Sequence, residues 1–254
     1  MNEKKFYENH KNFACRTFLE YYLSPGIKCK FDILMENIGS KRKFSNALDL
    51  GCSGNSFLYF FKNSYFKSFY DIALLPLKQY KSKKKLWYPF CGDINYLPYR
   101  NNSFDFITAL DVLEHLKNDQ RAIAEISRIL QGKGIAVITV PHRKKYYSTQ
   151  DEIIGHYRRY EIDQIDSLFG RYGLKLIRKF GIYGSLMKVS DLQSINPKNI
   201  ESRLEDLREY YENSLIFKLI WNIIIKISSY LMKIDAKYHS LKKVMNIGFI
   251  FEKI

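Results

Sequence analysis

The chain has 254 residues, 46% of them hydrophobic and 26% charged. That suffices for one large α/β domain with a substantial core and excludes a disordered chain. The formal net charge of +15 favours nucleic acid, an anionic membrane surface or a phosphorylated substrate, although a lysine-rich solvated surface gives the same number.

In chain order, residues 5–38 carry helix-like apolar spacing (Phe6, Phe13, Phe18, Tyr21, then Phe31, Ile33, Leu34 and Ile38) interrupted by Ser24-Pro25-Gly26. The pattern predicts two short helices ahead of a sheet. From about residue 45, short apolar runs alternate with helical segments. Residues 46–50, 68–72, 86–91, 104–110 and 134–140 read as five strands. An amphipathic helix with Ala122, Ile123, Ile126, Ile129 and Leu130 on one face precedes Gly132. Nearly continuous apolar strands between helices predict a parallel sheet covered on both faces, with ligands beyond the carboxyl ends of the strands.

The cysteines Cys15, Cys29, Cys52 and Cys91 form no C-x-x-C pair and no His stands at zinc-ligand spacing. They read as free thiols of a reducing cytoplasm, and no metal is expected. Met1-Asn2-Glu3-Lys4-Lys5 is followed by no apolar core, so a signal peptide is not expected. The lysines are dispersed, with Lys81-Ser82-Lys83-Lys84-Lys85 a short run.

Asp49-Leu50-Gly51-Cys52-Ser53-Gly54-Asn55-Ser56 follows the first strand, and glycine there lets backbone approach a ligand. Asp71 stands 20 positions after Gly51 and closes the second strand, where a carboxylate can accept from both ribose hydroxyls. The loop lacks the G-x-G-x-x-G of nicotinamide-binding sites.

Ala47-Leu48-Asp49-Leu50-Gly51-Cys52 resembles motif I of the class I S-adenosylmethionine-dependent methyltransferases, D-x-G-x-G-x-G. Gly92-Asp93-Ile94-Asn95-Tyr96-Leu97-Pro98-Tyr99 with Ser103-Phe104-Asp105 resembles that family's G-D-x-x-x-L-P-F…S-F-D. Asp111-Val112-Leu113-Glu114-His115-Leu116 is similar to its segment after strand 4, and Gly132-Lys133-Gly134 to its turn before strand 5. The similarity spans roughly residues 45–140. It implies a Rossmann-like, seven-stranded, mostly parallel sheet of order 3-2-1-4-5-7-6 with helices on both faces. It implies S-adenosyl-L-methionine as cofactor. Asp49, Gly51, Cys52, Ser53 and Gly54 would hold the methionine moiety, Asp71 and Ile72 the ribose, Asp93 and Ile94 the adenine, and Asp111 and Val112 would line the sulfonium side. Ser53 and Asn55 replace the motif's second and third glycines. Competing readings make Asp49 or Asp71 a helix cap, Asp105 a structural residue and Cys52 a packing residue.

Methyl transfer from a sulfonium is governed by alignment, and a base is needed only for a protonated nucleophile. Acceptor-side candidates follow strand 5. Gly155-His156-Tyr157-Arg158-Arg159-Tyr160 resembles the G-H-x-R-R-Y of a subset of these enzymes. His156 is a candidate base or orienting group, and Arg158 and Arg159 candidate anion grips, with Tyr160 beside them. The alternative has the arginines pinning a loop through Asp151 or Glu152. His115 is a base or a helix cap.

Leu174 to Phe180 reads as strand 6 and 247–251 as the last strand, which in this family inserts antiparallel between strands 5 and 6. About sixty residues lie between them, long enough to carry a function. In 214–233, Lys218, Asn222, Lys226, Ser229 and Lys233 trace one polar stripe on a helix whose other side is apolar. Its lysines argue against a spanning helix. A helix packed on the domain, a dimer contact, and an interfacial helix or lid for a lipid-like acceptor all fit. The organisation is then N-terminal helices (1–40), a cofactor-binding core (41–190), a helical insertion (191–244) and the last core strand (245–254). The expected function is methylation of a small-molecule or lipid-linked acceptor in the cytoplasm, with peripheral contact to an anionic membrane and a homodimer as possible associations. RNA methylation and a non-catalytic scaffold or sensor are the alternatives.

Overall fold

The structure is a computed structural model that describes residues 3–9, 16–80, 86–186 and 197–254, with side chains of the last stretch from 205 onward. Phe13, Cys15 and the run 81–85 lie outside the described residues.

Seven strands form one sheet: β1 (Phe44–Leu50), β2 (Ser64–Asp71), β3 (Trp87–Cys91), β4 (Phe104–Leu110), β5 (Leu130–Pro141), β6 (Leu174–Tyr183) and β7 (Asn246–Lys253). Their order is β3-β2-β1-β4-β5-β7-β6, the order the resemblance implies. β1 pairs in parallel with β2 and β4, β2 with β3, and β4 with β5, whereas β7 runs antiparallel to both β5 and β6. The two-residue period of a strand sends alternate side chains to opposite faces. Accordingly Ala136, Ile138 and Val140 of β5 enter the core on one side, with Ile247, Phe249 and Phe251 of β7. Ile135 and Val137 enter the core on the other.

The helices that carry the argument are α1 (Glu3–Asn9), α2 (Glu20–Leu23), α3 (Pro25–Ile38), α4 (Phe57–Phe60), α5 (Leu74–Leu77), α6 (Asp119–Ile129), α7 (Thr149–Ile153), α8 (Ile162–Gly170), α9 (Pro197–Asn213) and α10 (Leu215–Tyr238). Helix α6 buries Ala122, Ile123, Ile126 and Ile129. It ends one residue earlier than its apolar pattern predicts, because Leu130 already belongs to β5. Ser24-Pro25-Gly26, read from sequence as an interruption, is the start of α3. Ser24 caps it by accepting from the Ile27 amide at 3.4 Å, and Pro25 occupies the first turn, where its missing N–H costs nothing. Asp105 is structural: it accepts the amides of Ser45 and Asn46 at 2.7 and 2.9 Å, tying β4 to the start of β1.

Helix α10 is turned opposite to a soluble amphipathic helix. Ile225, Ser229 and Ala236 are its buried residues. Three residues of the predicted polar stripe turn toward the body, where Asn222 accepts from Tyr211 at 2.8 Å, Ser229 is buried and Lys233 pairs with Glu36 of α3 at 2.5 Å, while Lys218 and Lys226 stay exposed. Leu215, Leu219, Ile220, Ile223, Ile227 and Leu231 are exposed, Ile223 at 60%.

Candidate active site

The glycine loop after β1 is built to bring backbone close to a ligand. Gly51 has φ +66°, and a Cβ there would stand 2.5 Å from a Val112 methyl. Ser53 also adopts a left-handed conformation, φ +45°, which a non-glycine residue keeps only when its surroundings hold it. Here its amide donates to Asp71 at 2.8 Å and its carbonyl accepts from the buried Tyr80 hydroxyl at 2.9 Å. Ser53 therefore takes the turn conformation that a motif glycine would supply. Gly54 is required for another reason: a Cβ there would lie 1.7 Å from the Arg16 carbonyl. That carbonyl also accepts from Gln79 at 2.6 Å, so the segment entering α2 crosses over the loop.

Asp49 is buried beneath the loop. Its carboxylate accepts from Thr108 at 2.5 Å and from the hydroxyl of Ser56, the residue that caps α4. Burial pushes it up to about 6 against these hydrogen bonds. These contacts make it an organiser of the loop, closer to the capping reading than to direct contact with the methionine moiety. Asp71, half-buried at the carboxyl end of β2, accepts from the amides of Ser53 and Ala73, both at 2.8 Å. Each carboxylate oxygen has two acceptor sites, so capacity remains for two ribose hydroxyls, and Ile72 follows directly. Burial raises the Asp71 carboxyl. Asp93 caps the turn Ile94–Tyr96 through the Asn95 amide at 2.8 Å. Ile94 is buried beside it, and Cys52 is a buried packing residue.

Beyond β4, Asp111 has φ +55° and faces more partners than the sequence suggests. It pairs with Lys30 of α3 and accepts from Thr139 of β5 at 2.7 Å and Asn246 of β7 at 2.8 Å. Burial pushes the Asp111 carboxyl up, but the Lys30 ammonium and these hydrogen bonds overcome it and hold the group well below the usual carboxylate range. Lys30 and Asn246 escape sequence reasoning because they lie 81 and 135 positions away. No local spacing records such a contact.

The acceptor-side candidates divide. Arg159 forks onto Asp151, with two contacts of 2.9 Å. Arg158 pairs with Asp119 at 2.9 Å and donates to the Lys117 carbonyl at 2.9 Å. Tyr160 is fully buried, its hydroxyl donating to Asp119 at 2.7 Å. Arg158 and Tyr160 fix the loop after β5 to the start of α6, while Arg159 ties it to α7 through Asp151 as the pinning alternative has it; Arg158 takes Asp119 and neither Asp151 nor Glu152. His156 and His115 do come together, ring centroids 4.6 Å apart. Beside them is Glu114, fully buried, its Oε1 3.8 Å from His156 Nε2. The sequence shows it only as part of the post-strand segment. Burial pushes the Glu114 carboxyl well up and, with His156 nearby, lowers His115 to about 3.

A sheet of this order, a glycine turn at the end of β1, an acid closing β2 and a second acid after β3 are the arrangement of the class I S-adenosylmethionine-dependent methyltransferase fold. The donor set fits that cofactor: the Gly51 cradle has no room for a Cβ, and Asp71 retains acceptor capacity. Residues 48–138 match the family model described as a methyltransferase domain, so this part of the chain is a methyltransferase domain. An uncharacterized protein of Methanocaldococcus jannaschii is 29% identical over 164 residues, covering 63% of this chain and 69% of that protein. A probable S-adenosylmethionine-dependent methyltransferase of Mycobacterium tuberculosis is 28% identical over 89 residues, 34% of this chain and 32% of its own length. Among solved structures, phosphoethanolamine N-methyltransferase 2 of Haemonchus contortus with S-adenosyl-L-methionine superposes with a TM-score of 0.63 at 15% identity, over 100% of this chain and 60% of that one. At that identity the likeness concerns the fold.

Proposed function

We propose that the enzyme methylates a lipid-linked or similarly apolar small molecule, reached from the side of the fold that carries α10, and that it works in the cytoplasm in peripheral contact with an anionic membrane. The observation that carries this reading is the outward apolar face of α10. The helix is long and apolar enough to cross a membrane, yet only 11% of its apolar stretch is buried inside the protein. An exposed apolar face of this extent marks a contact with membrane or partner. Lysines along the helix and the net charge of +15 suit anionic headgroups, and an interfacial helix gains from both terms. Helix α10 packs on α3 and β6, and α3 carries the Lys30 that reaches Asp111. The helix face and the acceptor side are thus one layer apart.

The test is transfer of tritiated methyl from S-adenosylmethionine into a cell extract, separated into solvent-extractable lipid, water-soluble small molecules and RNA. Label in the lipid or small-molecule fraction is expected. Label confined to RNA sinks the proposal, and no transfer by a protein that binds cofactor favours the scaffold reading.

A further inference from the structure

The turn after β4 presents Glu114 and His115, and the loop after α7 presents His156. Each offers one ligand atom, and the three atoms lie within 4.8 Å of one another. Sequence spacing gave no reason to expect a metal, because His156 is 41 positions beyond His115 and the two meet only through the fold.

Three features separate this cluster from an ordinary buried ion pair. Glu114 has no accessible surface, and among the described residues neither carboxylate oxygen has a hydrogen-bond partner. A buried acid without partners is costly, the more so when charged, so something is expected to satisfy it. Second, His156 binds Asp151 through Nδ1 at 2.8 Å, and its Nε2 faces Glu114 Oε1 at 3.8 Å. That distance is too long for a hydrogen bond. A carboxylate on one ring nitrogen is how ligating histidines are oriented toward a metal on the other. Third, His115 Nδ1 lies 2.9 Å from the Tyr7 hydroxyl and 3.3 Å from the Gly155 carbonyl. A carbonyl in that position fixes the tautomer in the same way.

We propose that Glu114, His115 and His156 bind a divalent first-row transition metal ion. Two imidazoles and one carboxylate form the set that suits zinc, iron(II) or manganese and leaves positions open for an exogenous ligand. Bonds of roughly 2.1 Å put ligand atoms about 3–4 Å apart, so the three need to draw in by about an ångström, within side-chain reach. The ion would stand beside Asp111, where the resemblance places the sulfonium. If the methyltransferase reading above holds, its open positions face the acceptor and favour one that presents an oxygen or nitrogen donor.

The experiment is calorimetric titration of chelator-dialysed full-length protein with Zn2+ and Co2+, with Co2+ absorption as a spectroscopic signature and a parallel S-adenosylmethionine titration. Saturable uptake of about one ion per chain is expected, weakened about tenfold or more by Glu114→Gln and by His156→Ala. Asp151→Asn, which touches no ion, should weaken it roughly 10–100-fold. The cofactor affinity of each variant, which also reports that it is folded, should stay close to wild type. Wild-type protein that binds cofactor but takes up neither ion overturns the site, as does a Glu114→Gln variant that binds them as wild type does. Metal uptake without cofactor binding would keep the site and sink the methyltransferase reading instead.

Discussion

Two acids of the cofactor side differ in what they still have to offer. Asp71 keeps acceptor capacity at the open end of β2, so Asp71→Ala should weaken S-adenosylmethionine binding about tenfold or more, about 1.4 kcal/mol, by calorimetry. An unchanged affinity would place the ribose elsewhere. Asp49 is buried beneath the loop on Ser56 and Thr108 and contributes through pH. Its folded value of about 6 exceeds the ordinary 3.8, so between about pH 4 and 6 the folded state binds more protons than the unfolded one. This group's contribution to stability therefore falls as pH rises through that window and is flat above it. Denaturant unfolding of Asp49→Asn should lack that component, and parallel wild-type and variant profiles would refute it. Both acids are visible in the sequence as D-x-G and as the end of a strand. What the sequence hides is which of them is buried within the fold, because Thr108 lies 59 positions away.

At the scale of elements, the strands and α6 were readable because buried alternation and a helical apolar face leave periodic traces. Strand β2 begins at Ser64, four residues before its apolar run, since Lys67, buried on the Leu58 carbonyl, interrupts the apolar pattern. The polar stripe of α10 was legible as a stripe, and its direction was not. Periodicity says that a helix has two faces, and only tertiary contacts such as Lys233 with Glu36 say which face turns inward. The outward face gives a sharp expectation. Ile223→Glu with Ile227→Glu should leave unfolding stability within about 0.5 kcal/mol of wild type, because both side chains are exposed. The same pair should abolish sedimentation with phosphatidylglycerol vesicles. Marked destabilisation would show instead that the face is covered in the native protein. The Glu114 cluster was the least legible part, since its members come from two loops that only the sheet brings together.

Across the whole molecule, the net charge of +15 and the apolar face of α10 should act together on a membrane. Binding to anionic vesicles is then expected to weaken between 0.05 and 0.5 M salt, as the Debye length shrinks from above about 10 Å to a few ångströms. A residue of binding should persist from apolar insertion. Co-sedimentation across a salt series measures both parts. Binding that vanishes completely at high salt would assign the contact to charge alone, and binding indifferent to salt would remove the lysines from it.

The antiparallel β7 also governs the order in which the molecule can be completed. Among the described residues strand β6 hydrogen-bonds to β7 alone, and β7 follows the other six strands of the sheet. As the polypeptide leaves the ribosome, β1 to β5 can pair progressively, while β6 has no partner until residues 246–253 arrive. Asn246, which holds Asp111, comes with them. Long-range pairing of this kind is slow and leaves edges exposed meanwhile. A nascent chain therefore carries the apolar α10 and an unpaired β5 edge before Asn246 can reach Asp111.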